Sequence, residues 1–223
     1  GIAAGEGGMI TTNDFDIYRK LTLLRSHGIT KGNFEFPGVS RPDNSLINKD
    51  DALENGELKR WYYEMQSLGF NYRITDIQSA LAISQMDKID LFLDARKSIA
   101  KRYDKAFKGV PNITPLQTLG RDNSSHHIYV VSIDFDKISM TRHQFMEELA
   151  EQGIGSQVHY IPVVNHPYYQ KLQYNLEALP VVKEYYKTVL SIPLYYDLSR
   201  IEVNKIVEAV CELLVGIKFD QNK

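Results

Sequence analysis

Apolar residues recur at helical spacing through much of this chain, and at the two-residue spacing of a strand only in short runs. Ile17, Leu21 and Leu24 share one helix face, and Asn13 or Asp14 can cap that helix. Met9 to Thr12, just ahead, reads as a short strand, and the helix ends near His27-Gly28. Residues 29–60 mix Gly, Pro, Asn and charge without a sustained period and read as a long loop or insertion. Loops of that length inside compact domains are usually functional or mobile. Thr75-Asp76-Ile77-Gln78 then has the form of a capping box. Behind it Ile77, Leu81, Met86, Ile89, Phe92, Leu93, Ile99, Tyr103 and Phe107 continue an apolar face with a bend near Asp87, until Gly109 and Pro111 end it.

The remainder reads as a smaller unit in which strands alternate with helices, favouring a mixed α/β fold. His127 to Ile133 is strand-like, and Thr141-Arg142-His143-Gln144 opens a helix that Gly153 is placed to end. Gln157 to Ile161 is a second strand candidate. Pro180 suits the first turn of a helix running through Leu190. Ser199 and Glu202 cap the last helix, whose face is Val203, Ile206, Val207, Val210 and Leu214.

Composition narrows the function classes. The 223 residues are 43% apolar, with a net charge of −2 and no basic stripe, which disfavours nucleic acid as a partner. Asp, Lys or Gly interrupts every apolar stretch before membrane-spanning length. The single cysteine, Cys211, sits within an apolar helical pattern, so no disulfide framework exists within the chain and a packing role is expected. Several of its 14 tyrosines cluster, at Tyr62-Tyr63, Tyr168-Tyr169, Tyr185-Tyr186 and Tyr195-Tyr196, where such residues can bury area yet keep a polar tip.

Candidate chemistry is sparse. Asn71 and Arg73 stand just ahead of the capped start at Thr75, where an amide, a guanidinium and free backbone N–H groups can meet a phosphate. A plain surface cap with an exposed Arg accounts for the same residues. His159-Tyr160 follows a strand-like run stopped by Pro162, and either binds a ligand or is a satisfied structural pair. Trp61 to Tyr63 can lie against a planar or sugar ring, or pin the preceding loop. His126-His127 is not expected to hold a metal: successive strand residues face opposite ways, and no Cys or carboxylate cluster joins them. His27 suits the C-terminal end of a helix as a cation, and His166 has no assigned role.

Several blocks of the chain, in order, resemble the DegT/DnrJ/EryC1/StrS family of sugar-nucleotide aminotransferases. Gly1-Ile2-Ala3-Ala4-Gly5-Glu6-Gly7-Gly8 is similar to the stretch after that family's Schiff-base lysine, with Ala3-Ala4 where Thr-Thr is common. Leu24-Arg25-Ser26-His27-Gly28-Ile29 resembles its Leu-Arg-x-His-Gly-Ile. Trp61-Tyr62-Tyr63-Glu64 and Gly69-Phe70-Asn71-Tyr72-Arg73-Ile74-Thr75-Asp76-Ile77-Gln78-Ser79-Ala80-Leu81 resemble the branch acting on UDP-4-amino-4,6-dideoxy-N-acetyl sugars in pseudaminic acid synthesis. His127-Ile128-Tyr129-Val130, Gly153-Ile154-Gly155 and His159-Tyr160-Ile161-Pro162-Val163 fit the same branch. The stretch from Gly32 to Arg60 looks longer than usual there.

The resemblance implies an α/β, aspartate-aminotransferase-like (fold type I) pyridoxal 5'-phosphate (PLP) enzyme, of which this is the C-terminal half. Residues 1–73 would close the PLP-binding large domain and its sheet, with the long loop 29–60. Residues 74–109 would form the inter-domain helices, and residues 110–223 a small α/β domain. The Schiff-base lysine is expected immediately before Gly1, so no catalytic residue is expected within the chain. Asn71 and Arg73 would bind the neighbouring subunit's cofactor phosphate in a homodimer with shared active sites. His159, Tyr160, Trp61 and Tyr62 would face the substrate. The implied reaction is transamination of a 4-keto-6-deoxy UDP-sugar with glutamate as donor, for a bacterial surface glycan of the nonulosonic acid type, in the cytoplasm. Two other readings remain: a pyridoxamine-phosphate-dependent sugar 3-dehydratase of the same family, and a non-catalytic interaction domain that keeps the fold.

Overall fold

Where the apolar periodicity pauses at Asp87, the chain divides into two units, Ile2–Met86 and a second that begins at Asp87. The computed structural model describes residues 2–30, 53–55, 57–116 and 123–215.

In the first unit, Asp14 caps α1 (Phe15–Leu24), its carboxylate accepting from Ile17 N–H at 3.0 Å. Short antiparallel ladders follow. β1 (Ile29–Thr30) pairs with β4 (Glu64–Met65), and β2 (Leu53–Glu54) with β3 (Glu57–Leu58). The segment read as loop 29–60 therefore opens on β1 and carries a hairpin near its end; residues 31–52 and 56 lie outside the described residues. The strand expected over Met9 to Thr12 does not form. A strand needs a ladder partner for its N–H and C=O groups, and none of the described residues supplies one.

α2 (Asp76–Met86) begins at the expected capping box. Thr75 N–H donates to Gln78 Oε1 at 3.0 Å, and Gln78 N–H to Thr75 Oγ1 at 3.3 Å. No side chain of α1 or α2 is buried, and Met9, Leu68 and Ile77 are more than four-fifths exposed. This unit on its own leaves a broad apolar surface facing outward.

The second unit has a full core. α3 (Ile89–Phe107) packs Ile99, Ala100, Tyr103 and Phe107 against an antiparallel sheet ordered β5 (Ile113–Pro115), β6 (Tyr129–Ile133), β7 (Val189–Ile192). α4 (Arg142–Glu151) adds Phe145 and Leu149. The short α5 (Pro167–Gln170) and then α6 (Pro180–Thr188) lead into β7. α7 (Arg200–Val215) closes the core with Val203, Ile206, Ala209, Val210 and Leu214. Alternate residues of β6 are buried, as its sequence alternation implies. Thr141 with Gln144 forms the expected capping box, and Ser199 with Glu202 the same reciprocal pair.

Two boundaries differ from the sequence reading. The helix from Pro180 stops at Thr188, because Val189 to Ile192 are buried throughout and pair with β6. A short run buried on every side carries no period to separate helix from strand. Gln157 to Ile161 is not a strand: only Gln157 pairs, with Ser191, and its own side chain then accepts the Val158 N–H at 2.9 Å. Cys211 packs against the core as expected, and burial pushes its thiol up.

Buried polar groups tie these layers. Tyr103 Oη donates to the Pro193 carbonyl at 2.9 Å and Tyr129 Oη to Asp104 Oδ1 at 2.6 Å. One nitrogen of Arg96 reaches three carbonyls, those of His126, His127 and Leu194, at 3.0–3.1 Å. The loop carrying His126-His127 is thus held by main-chain contacts to an arginine.

Candidate functional site

The first unit joins sequence blocks that lie far apart. The turn after α1 and the segment before α2 cross backbone to backbone. Phe70 N–H donates to Leu24 O at 2.6 Å, His27 N–H to Phe70 O at 2.8 Å, Tyr72 N–H to Arg25 O at 2.9 Å and Gln66 N–H to Gly28 O at 2.7 Å. Ser26 and Asn71 form an isolated bridge within this crossing. Two glycines permit it. Gly28 has φ +68°, and a Cβ there would lie 1.7 Å from the Ser67 carbonyl oxygen. A Cβ on Gly69 would lie 2.2 Å from Gly28 N.

The Gly-rich opening meets the same place. Gln78 Nε2 donates to the Glu6 carbonyl at 2.8 Å, and Gly7 lies against Ile74, to which an added Cβ would approach within 3.3 Å. Gly5 to Gly7, Asn71 to Thr75 and the start of α2 therefore share one corner. Asn71 and Arg73 are exposed there, and among the described residues the Asn71 amide and the Arg73 guanidinium make no hydrogen bond or ion pair. The start of an 11-residue helix, an amide and a guanidinium together fit a phosphate dianion, through the Asp76 and Ile77 N–H groups that the capping box leaves over and the cationic fork.

Trp61 is two-thirds exposed, whereas the Tyr62 hydroxyl is engaged: it donates to Glu64 Oε1 at 2.5 Å, and Gln66 Nε2 donates to Glu64 Oε2 at 2.8 Å. The Tyr62 hydroxyl is thus tied to the strand that pairs with β1, while Trp61 and Tyr63 are exposed.

His159 and Tyr160 belong to the second unit. The His159 ring is half-buried, with Nδ1 2.8 Å from Ser191 Oγ. Tyr185 Oη donates to the His159 carbonyl at 3.0 Å. Tyr160 is 71% exposed, its ring meeting the imidazole edge-on at 4.6 Å across a cis peptide bond. Burial pushes the Tyr185 hydroxyl up. Sequence reasoning missed Ser191 and Tyr185. A single hydroxyl inside the apolar run Val189–Ile192 was the available signal for the first; nothing local marks the second.

A groove of about 540 Å³ beside β5 is lined by Asp134, Asp136, Lys137 and Lys187 among others and holds none of the predicted site residues. Its charges pair with one another, Lys137 with Asp134 at 2.7 Å and Lys187 with Asp136 at 2.5 Å. Among the described residues no cluster of three or more His, Cys, Asp or Glu side chains is placed to hold a metal ion, and no helix is long and apolar enough to cross a membrane.

Residues 1–211 match the model of the DegT/DnrJ/EryC1/StrS aminotransferase family. The spore coat polysaccharide biosynthesis protein SpsC of Bacillus subtilis is 36% identical over 96% of this chain and 51% of its own length. The UDP-4-amino-4,6-dideoxy-N-acetyl-beta-L-altrosamine transaminase of Helicobacter pylori is 32% identical over 98% of this chain and 51% of its own length. Among solved structures, Helicobacter pylori PseC, an aminotransferase of pseudaminic acid biosynthesis, superposes with a TM-score of 0.74 at 29% identity, over 92% of this chain and 48% of that one. The Streptococcus pneumoniae putative sugar aminotransferase Spr1654, in its PLP form, gives 0.70 at 26% identity, over 92% and 45%. The chain spans about half the length of the curated relatives it matches.

Proposed function

This chain belongs to the DegT/DnrJ/EryC1/StrS aminotransferase family, and we propose that it acts within a PLP-dependent sugar-nucleotide aminotransferase. Glutamate donates the amino group and a 4-keto-6-deoxy UDP-sugar receives it, on the way to a bacterial surface glycan of the nonulosonic acid type. The observation that carries this reading is the corner where three matched blocks meet, with Gln78 holding the Glu6 carbonyl beside Asn71 and Arg73. The names of the relatives favour transamination over the 3-dehydration reading.

In this proposal PLP supplies the electron sink that makes the α-proton of glutamate labile. Asn71 donates its amide N–H to the cofactor phosphate and Arg73 supplies charge. The Asp76 and Ile77 N–H groups at the start of α2 complete the cradle. His159 offers a ring nitrogen to the diphosphate of the sugar nucleotide, and Trp61 stacks on a ring of the substrate. Residues 1–73 finish the cofactor domain, 74–109 link it, and 110–223 form the small domain. In the same proposal the protein is a homodimer that shares its active sites and works in the cytoplasm; the exposed apolar surface of the first unit calls for a covering surface of some kind.

Asn71→Ala and Arg73→Ala in the full-length protein should each weaken PLP retention about tenfold, near 1.4 kcal/mol for one charge-assisted contact. Dialysis against cofactor-free buffer followed by fluorimetry reads this directly. Unchanged retention in both variants would remove the phosphate assignment. Absence of glutamate-dependent 2-oxoglutarate release with 4-keto-6-deoxy UDP-N-acetyl sugars would remove the reaction.

A further inference from the structure

The strand that carries Ser191 is buried along its whole length, and Ser191 is 5% exposed. Its main chain is paired with Gln157, N–H to O at 2.8 Å and the reverse at 3.1 Å, so the segment leading to His159 is anchored on this residue. Its hydroxyl has one partner among the described residues, His159 Nδ1 at 2.8 Å.

A serine hydroxyl carries one hydrogen and can accept others, whereas a neutral imidazole nitrogen either donates or accepts. Two arrangements of this pair exist. If Nδ1–H donates to Oγ, the serine hydrogen is left in a buried site with no acceptor, at a cost of about 1–3 kcal/mol. If Oγ–H donates to Nδ1, both groups are satisfied and the ring proton must reside on Nε2. A preference of about 1.4 kcal/mol already sets a tenfold ratio between the tautomers.

We infer that Ser191 is a positioning residue that fixes neutral His159 as its Nε2–H tautomer, so that the imidazole presents a hydrogen-bond donor and not a base. Tyr185 holds the main chain of the same residue by donating to the His159 carbonyl at 3.0 Å. For the consequence of this tautomer, the inference rests on the proposed substrate role of His159: a fixed N–H donor suits a diphosphate oxygen and has no lone pair with which to take a proton from substrate. The tautomer itself does not depend on that role.

The test is histidine-selective ¹³C/¹⁵N NMR on the full-length, PLP-loaded protein at mildly alkaline pH, in a deuterated background. The signal that disappears in His159→Gln assigns His159. Wild type should show the shift pattern of a protonated Nε2 and an unprotonated Nδ1. Ser191→Ala should relax it toward a tautomer mixture, and Ser191→Thr, which keeps the hydroxyl, should restore it. A wild-type proton on Nδ1 would overturn the inference without any variant, as would an unchanged pattern in Ser191→Ala.

Binding of UDP alone separates this inference from the proposed function. His159→Gln, which places an N–H near the Nε2 position, should stay within about threefold of wild type, while His159→Ala loses about tenfold or more. The expected tautomer together with unaltered UDP affinity in His159→Ala would support the positioning role and remove His159 from substrate binding.

Discussion

Gly69→Ala is the substitution whose consequence the geometry specifies most sharply. The new methyl would sit 2.2 Å from Gly28 N, 2.6 Å from His27 C and 2.9 Å from Leu24 O, all backbone atoms. Ordinary carbon contacts lie near 3.5–4.0 Å, so the two segments must part by more than an ångström. Four main-chain hydrogen bonds of 2.6–2.9 Å, donated by His27, Gln66, Phe70 and Tyr72, hold that crossing. At roughly 1 kcal/mol net for each, their loss costs about 4 kcal/mol, a large share of the 5–15 kcal/mol that holds a typical domain.

Gly28→Ala meets the same crossing and adds the left-handed backbone cost of about 1–2 kcal/mol at φ +68°. Gly153→Ala carries that backbone cost alone, since φ is +75° and nothing lies within 4 Å of its Cβ. The three variants therefore separate collision from strain. Thermal and urea unfolding, with PLP retention alongside, should rank Gly28 and Gly69 well below Gly153, with cofactor lost only in the first two because Asn71 moves with the crossing. Equal destabilisation by Gly69→Ala and Gly153→Ala would refute the reasoning.

Two further outcomes are expected in the second unit. Burial first, then the charge of Tyr195, raises the Tyr103 hydroxyl above its ordinary value near 10. The folded state therefore holds this proton more tightly, and the stability it contributes, intact below about pH 10, is lost as pH rises beyond that. Tyr103→Phe should flatten this alkaline decline in Tm while costing about 1 kcal/mol at neutral pH for the bond to Pro193; an unchanged alkaline limb would contradict it. Arg96→Ala strands the part-buried carbonyls of His126 and Leu194 and frees that of His127, and should destabilise by about 1–3 kcal/mol, read by urea denaturation, with hydrogen exchange rising around His126-His127.

Local chemistry was legible wherever it is satisfied by near neighbours. The caps at Asp14, Thr75, Thr141 and Ser199 and the buried stripe of α7 depend only on residues three or four apart, so the linear pattern contained them. The family blocks were legible in the same way, as runs of specific side chains. Tertiary structure decided the rest. Whether Val189–Ile192 continues a helix or joins β6 depends on a strand some 60 residues upstream, and Met9 to Thr12 stays out of a ladder because pairing requires a partner. That Gly28 and Gly69 serve one close crossing, and that the hydroxyl of Ser191 meets the imidazole of His159, follows from contacts between distant segments. A one-dimensional pattern records what each residue prefers; which distant residue completes its hydrogen bond or excludes its Cβ is settled only once the chain has folded.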